Sequence, residues 1–154
     1  MSRAHPLDNF SFRPEFSSFR ANSPIHESEC DFMRILVVDD DKVFCLLLVE
    51  LLESRGYEVD WTSRALKAFK MSQRNYYELF VIDARMPIIP GTQLAEELKE
   101  QFPGAKIILI SAFADKSLKN QATELGIPLL CKPFVNEAFL DLVAKLATPS
   151  PRNH

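Results

Sequence analysis

Short apolar runs, each stopped by a polar cluster and followed by helical spacing, set the plan of the chain. Ile35-Leu36-Val37-Val38 ends abruptly at Asp39-Asp40-Asp41. Runs of this length bounded by a turn read as strands buried on both faces. A helix is expected over Lys42 to Arg55, ended by Gly56 as a left-handed cap. A strand over Tyr57 to Thr62 follows, with Val59 and Trp61 on its apolar side, and Ser63 can cap a helix to about Asn75 that carries Leu66 and Phe69. Leu79 to Ile82 is a second buried-type strand ending at Asp83. The loop after it holds the turn pairs Met86-Pro87 and Pro90-Gly91. The next helix carries Leu94 and Leu98 and stops before Pro103-Gly104. Lys106 to Ile110 is a third such strand, ending at Ser111. A helix over Lys116 to Leu125 is closed by Gly126, a strand over Leu129 to Cys131 ends at Lys132-Pro133, and the last helix, Asn136 to Ala147, spaces Phe139, Val143 and Leu146 helically. Five strands alternating with five helices imply an α/β fold, with right-handed crossovers and a parallel sheet covered on both faces.

Residues 1–32 break this pattern. They hold Pro6, Pro14 and Pro24, many serines, and Phe10, Phe12, Phe16 and Phe19 without a clean period. They read as a disordered arm whose phenylalanines are candidates to dock on the domain or on a partner. The domain itself is expected over 33–147, with 148–154 as a tail. The first helix is odd in another way, because Val43 to Val49 is apolar all round, which asks for cover on both sides. Partner docking, self-association, cover by the arm, or extra core packing would each supply it.

At 154 residues there is room for one domain with a proper core, and 47% hydrophobic with 25% charged residues is ordinary for a globular chain. A net charge of −3 gives no general attraction to nucleic acid or to anionic membranes. Cys30, Cys45 and Cys131 lack metal-ligand spacing. Cys45 and Cys131 lie in apolar runs and are expected as reduced core thiols of a soluble, cytoplasmic protein. The apolar run Val43 to Val49 falls far short of the roughly 18 residues that span a bilayer.

The chemistry collects at strand ends: Asp39 to Asp41, Asp83, Ser111 and Lys132. In a parallel sheet these ends share one edge, where open α/β folds place their ligands. Carboxylates about 4 Å apart at an effective dielectric near 20 repel by about 4 kcal/mol per pair. A hard divalent ion relieves this, and Mg²⁺ takes one or two carboxylates together with phosphate oxygens. Asp41 is the member of the trio expected to cap the following helix. Carboxylate, metal, hydroxyl and ammonium together suit phosphoryl transfer.

With these motifs the chain from Met33 to Ala147 resembles a response-regulator receiver domain, of the stand-alone chemotaxis type, through Ile-Leu-Val-Val-Asp-Asp-Asp, Val-Ile-Asp-Ala-Arg-Met-Pro-Ile-Ile-Pro-Gly, Ile-Leu-Ile-Ser-Ala and Cys-Lys-Pro-Phe. The resemblance implies a flavodoxin-like, doubly wound (βα)5 fold with a parallel sheet in the order 2-1-3-4-5. It implies that Asp83 accepts a phosphoryl group from a histidine kinase or histidine phosphotransfer protein. Asp39, Asp40, Asp83 and the backbone carbonyl of Arg85 would hold Mg²⁺, with Ser111 and Lys132 contacting the phosphoryl group. A cis Lys132-Pro133 bond is expected, as a prolyl amide permits. The face made by the fourth helix, fifth strand and fifth helix would change population on phosphorylation and control a downstream protein target. The chain would act on no other substrate, catalysing only its own phosphoryl uptake and loss. It ends seven residues after Ala147, so the reading expects it to act without an output domain. In the family the first helix helps to dock the phosphodonor, which suits its apolar outer edge.

Three positions depart from the pattern or qualify it. Leu129 stands where the family usually has an aromatic residue that rotates inward with the serine. Phe113, two positions after Ser111, is expected to shield the acyl phosphate from water. Arg85, two after Asp83, faces solvent, the acidic pocket or the phosphoryl group. Two rival readings stand beside this one. Asp39-Asp40-Asp41-Lys42-Val43 also resembles the nucleophile motif of haloacid-dehalogenase-type phosphatases, but the later acidic motif is missing, with only Glu137 and Asp141 remaining. An interaction module that is never phosphorylated would leave the intact acceptor residues without a role.

Overall fold

The structure is a computed structural model that describes residues 33–147; the expected arm, Cys30 and the tail lie outside the described residues. Five strands, β1 (Arg34–Val38), β2 (Glu58–Thr62), β3 (Leu79–Asp83), β4 (Lys106–Ser111) and β5 (Leu129–Cys131), alternate with five helices, α1 (Lys42–Glu53), α2 (Ala65–Arg74), α3 (Gly91–Gln101), α4 (Lys116–Leu125) and α5 (Asn136–Ala147). All pairings are parallel and the sheet runs β2-β1-β3-β4-β5. This is the flavodoxin-like arrangement that the resemblance implies.

The continuous apolar runs explain the layers. Ile35 to Val38, Leu79 to Ile82 and Ile107 to Ile110 are almost wholly buried because helices cover both faces. Alternate strand residues feed two cores. Leu36, Val38, Phe80, Ile82 and Leu109 pack with α2, α3 and α4. Ile35, Val37, Val81, Ile108 and Ile110 pack with Cys45, Leu48 and Leu52 of α1 and with Phe139, Leu140 and Val143 of α5, and Met33 lies in this second layer.

Helix ends follow the expected chemistry in part. Asp41 caps α1 through Phe44 N–H, Asp115 caps α4 through Leu118 N–H, and Gly126 closes α4 with φ +70°. Gly56 has the expected left-handed φ, but α1 already ends at Glu53, with a turn intervening. α2 is not capped by Ser63. Arg64 takes the N-cap position and gives no side-chain bond. The stripe of α2 also differs: Ala65, Ala68, Met71 and Ser72 are buried, Leu66 is exposed and Phe69 half-buried. Small residues let this helix lie close to the sheet.

β2 departs from simple alternation. Val59 is buried and Trp61 only half-buried, while Asp60 and Thr62 on the other face are buried as well. Asp60 is accommodated because Tyr77 donates its hydroxyl at 2.6 Å and Arg34 lies at 3.3 Å. Burial and the Asp60 charge push the Tyr77 hydroxyl up, holding it protonated as the donor. Cys45 is a buried thiol as expected, but Cys131 is exposed, because its place at the end of the edge strand β5 leaves it uncovered.

Candidate functional site

The carboxyl ends of β1, β3, β4 and β5 form one rim. Register places Val38 beside Ile82, Asp83 beside Ile110 and Ser111 beside Cys131. The apolar runs therefore expire within two residues of one another in register, and in each strand the next residue carries the chemistry. Asp39 is fully buried and Asp83 nearly so, while Asp40 is exposed. Carboxylate oxygens of these three residues all lie within 4.8 Å of one another. Asp41, the third acid of the Asp39–Asp41 run, is occupied as a cap: its Oδ1 accepts from Phe44 N–H at 3.1 Å and its own N–H donates to Asp39 Oδ1 at 2.9 Å.

Lys132 supplies the opposing charge. Its Nζ donates to Asp39 Oδ2 at 2.9 Å, although β3 and β4 lie between the two strands in sheet order. A cis Lys132-Pro133 bond follows, and Lys132 N–H donates to the Ser111 carbonyl at 2.8 Å. The ammonium also lies 4.3 Å from the centroid of the Phe44 ring, whose edge meets Phe134 at 5.9 Å. The Asp39 carboxylate raises the Lys132 pKa against the opposing effect of burial, so the side chain stays charged. Sequence spacing did not reveal Phe44 as a neighbour of the rim. Its position two turns before Leu51 marked it only as part of an apolar helix.

Asp83 behaves differently from its neighbours. Burial and the Asp39 charge push its carboxyl up to about 7, against the lowering pull of Arg85 N–H and Lys132. Arg85 N–H donates to Asp83 Oδ1 at 3.3 Å. The guanidinium turns away and pairs with Asp115 at 3.1 Å, both side chains being about half exposed. Of the places expected for it, the solvent side is nearest the mark, but with Asp115 as a partner. Ser111 is buried and engaged locally: its hydroxyl donates to the Phe113 carbonyl at 2.8 Å and accepts from Phe113 N–H at 3.2 Å. Phe113 itself is exposed. Beneath the rim, Cys45 Sγ donates to the Asp39 carbonyl at 3.2 Å. Burial and the Asp39 charge push this thiol up to about 12, so it is no nucleophile.

The close approach of α3 completes the rim. A Cβ on Gly91 would fall 1.8 Å from the Asp83 carbonyl oxygen, so only glycine fits where the helix begins. The donor set suits a hard divalent cation: three carboxylates offset by one ammonium leave a net charge of about −2, matched by Mg²⁺ with its preference for oxygen. Asp39, Asp40, Asp83, Ser111 and Lys132 thus share one rim, while the Arg85 guanidinium stands outside it.

Comparison with known proteins agrees with this geometry. Residues 35–144 match the family described as response regulator receiver domain. The response regulator receiver protein CpdR of Brucella abortus (strain 2308) is 32% identical over 117 residues, covering 72% of this chain and 98% of CpdR. A response regulator receiver protein of Anaeromyxobacter sp. (strain Fw109-5) is 33% identical over 110 residues, covering 71% of this chain and 46% of that protein. The chain spans about half the length, or less, of several such relatives. Among solved structures, the non-phosphorylated HemR receiver domain of Leptospira biflexa is similar with a TM-score of 0.72 at 28% identity, covering 79% of this chain and 99% of that one. A CheY-like receiver domain of Methanospirillum hungatei JF-1 gives 0.72 at 26% identity, covering 75% and 94%. No helix among the described residues is long and apolar enough to cross a membrane. The phosphatase reading gives way to these matches: the chain belongs to the response-regulator receiver family of two-component signalling proteins.

Proposed function

We propose that the chain is a phosphoacceptor whose Asp83 is phosphorylated by a histidine kinase or histidine phosphotransfer protein. One observation carries the reading: a carboxyl group at the end of β3 shares a rim with two further carboxylates and an ammonium. Asp39, Asp40 and Asp83, with the Arg85 carbonyl, would hold Mg²⁺, which when bound supplies positive charge opposite the phosphoryl oxygens.

The residues of the chain do the rest. An Asp83 oxygen attacks phosphorus in line with the leaving group. The P–N bond of the donor phosphohistidine breaks, the imidazole keeps the electron pair and is reprotonated, and an acyl phosphate remains on Asp83. Lys132, anchored by Asp39, is placed to pair with a phosphoryl oxygen. The Ser111 hydroxyl must leave the Phe113 carbonyl to donate to another. The broken bond costs about 1 kcal/mol, and a charge-assisted bond of about 1.5–3 kcal/mol replaces it. That difference biases the β4–α4 loop toward a second position, and with it the face of α4, β5 and α5. Leu129, half-buried against the core, lacks the ring and hydroxyl through which the family usually reports this movement. The output passes to a downstream protein target through the same face, without contact to nucleic acid or insertion into membrane.

Incubating the protein with acetyl phosphate and Mg²⁺ tests the proposal. One phosphoryl group is expected on Asp83, located by borohydride reduction and peptide mass. Asp83→Asn and EDTA should each abolish it. Labelling of Asp39, or none at all, would overturn the reading. A pull-down with and without beryllofluoride should then recover the target from the activated form.

A further inference from the structure

Among the described residues, α1 carries the densest group of exposed large apolar side chains: Val43, Leu46 and Leu47 are 68%, 51% and 58% exposed. Beside them lies a groove of about 460 Å³ between Phe44, Leu47 and Leu51 of α1 and Pro133 and Phe134 of the β5–α5 turn, with Glu50 on its wall and Ser54 at its far end. Exposed Val135 continues the apolar surface at the turn. A patch of this kind marks a place where something docks.

We propose that the groove is occupied by this chain's own segment 10–19, which carries Phe10, Phe12, Phe16 and Phe19. The point of attachment favours it. Met33 is buried in the layer beneath α1 and α5, its carbonyl accepts from Glu58 N–H at 3.1 Å, and Tyr57 N–H donates to the Leu52 carbonyl at 3.3 Å. Met33, the residue to which the segment is tethered, therefore lies near the carboxyl end of α1, the end of the groove at Ser54.

Length favours it too. Residues 20–32 between Phe19 and Met33 can reach up to about 43 Å when extended, whereas α1 is only about 18 Å long. Tethering at this length gives an effective concentration on the order of millimolar, which makes a weak apolar contact sufficient for occupancy. A second copy of the chain lacks that advantage at ordinary concentrations. Composition fits as well. Four of the twelve phenylalanines lie in these ten residues, whose only charges are Arg13 and Glu15, so the segment is apolar and carries no net charge, as a groove walled by phenylalanine, leucine and proline asks.

Photo-cross-linking in the full chain tests this, with p-benzoylphenylalanine replacing Phe16. Expected is a monomeric product linking position 16 to residues of α1 or to 133–136, in a yield independent of dilution. Leu47→Glu should lower that yield about tenfold, as loss of one buried leucine contact predicts, while Leu66→Glu on the remote face of α2 leaves it unchanged. Dimer-mass products that fade on dilution would make a second copy the occupant and overturn the proposal. Cross-links elsewhere, or none, would overturn it equally. A second measurement leaves the domain untouched: Phe16→Ser with Phe19→Ser should increase binding of a fluorescent apolar dye severalfold, and unchanged dye binding would count against the arm. Neither measurement depends on phosphorylation of Asp83.

Discussion

Asp83 sits among like charges, and its titration has a consequence for stability. Its carboxyl is pushed up to about 7 in the folded chain, above its ordinary value of 3.8. Between these two values the folded state binds more protons than the unfolded one, so stability falls as pH rises through that window. In EDTA, denaturant midpoints should therefore drop between about pH 4 and pH 7. Asp83→Asn should flatten that drop and gain on the order of 2 kcal/mol at the higher pH, about half of one carboxylate pair's repulsion. A parent whose stability is flat across the window would refute the crowded-charge account. Phe113 offers a second check at this scale. Its backbone is held against the Ser111 hydroxyl by two hydrogen bonds while its ring is exposed. Phe113→Glu should speed phosphate loss from Asp83 severalfold, measured by decay of the labelled protein; equal decay would discard the shielding role. The acids, the serine and the lysine were legible because each ends an apolar run. The Arg85–Asp115 pair and the Lys132–Phe44 contact were not, because both join residues of distant turns that no local pattern relates.

At the scale of the elements, the junction of β3 and α3 is the most constrained. Gly91 lies so close to the Asp83 carbonyl that Gly91→Ala must push the helix or the strand end aside. A loss of about 3 kcal/mol or more is expected, with reduced phosphorylation, since overpacking and a shifted acceptor act together. Gly104→Ala, with open space around it, should leave the melting temperature nearly unchanged. In the loop between β3 and α3, Ile88 is 97% exposed and adopts φ +71°. A β-branched residue there is strained with no packing in return, so Ile88→Asn should stabilise the protein by about 1 kcal/mol. Thermal melts of these variants check all three. Element types were legible from period alone, whereas orientation was less so. Asp60 and Thr62 looked like the wet face of β2, yet they are covered, because Arg34 and Tyr77 satisfy the aspartate. Leu66 looked like the inward residue of α2, yet alanines take that place. Hydrophobicity ranks side chains by what burial is worth, and close helix-on-sheet packing also ranks them by size.

Across the whole molecule, the parallel order of the sheet is what turns separate motifs into one rim. Residues 39, 83, 111 and 132 are far apart in sequence but stand at one end of the sheet, within two residues of a common level, because every crossover returns the chain in the same direction. Lys106 Nζ donating to the Leu146 carbonyl at 2.9 Å ties the opposite edge of the sheet to the end of α5. The family was therefore legible in the residues that end the strands. The exposure of α1 could be read only as a puzzle, since an all-apolar helix states that it needs cover without saying where.

One aromatic ring stands astride two places. Phe44 faces the Lys132 ammonium and also walls the groove beside Phe134. A molecule in that groove that holds the ring in one rotamer changes what the lysine feels, and thermodynamic reciprocity makes the converse equally true. If Asp83 is phosphorylated as proposed, any factor by which that changes the occupant's affinity must shift the acyl phosphate's formation constant equally. The groove on the first helix and the carboxylate rim thus have one side chain in common, the benzyl group of Phe44.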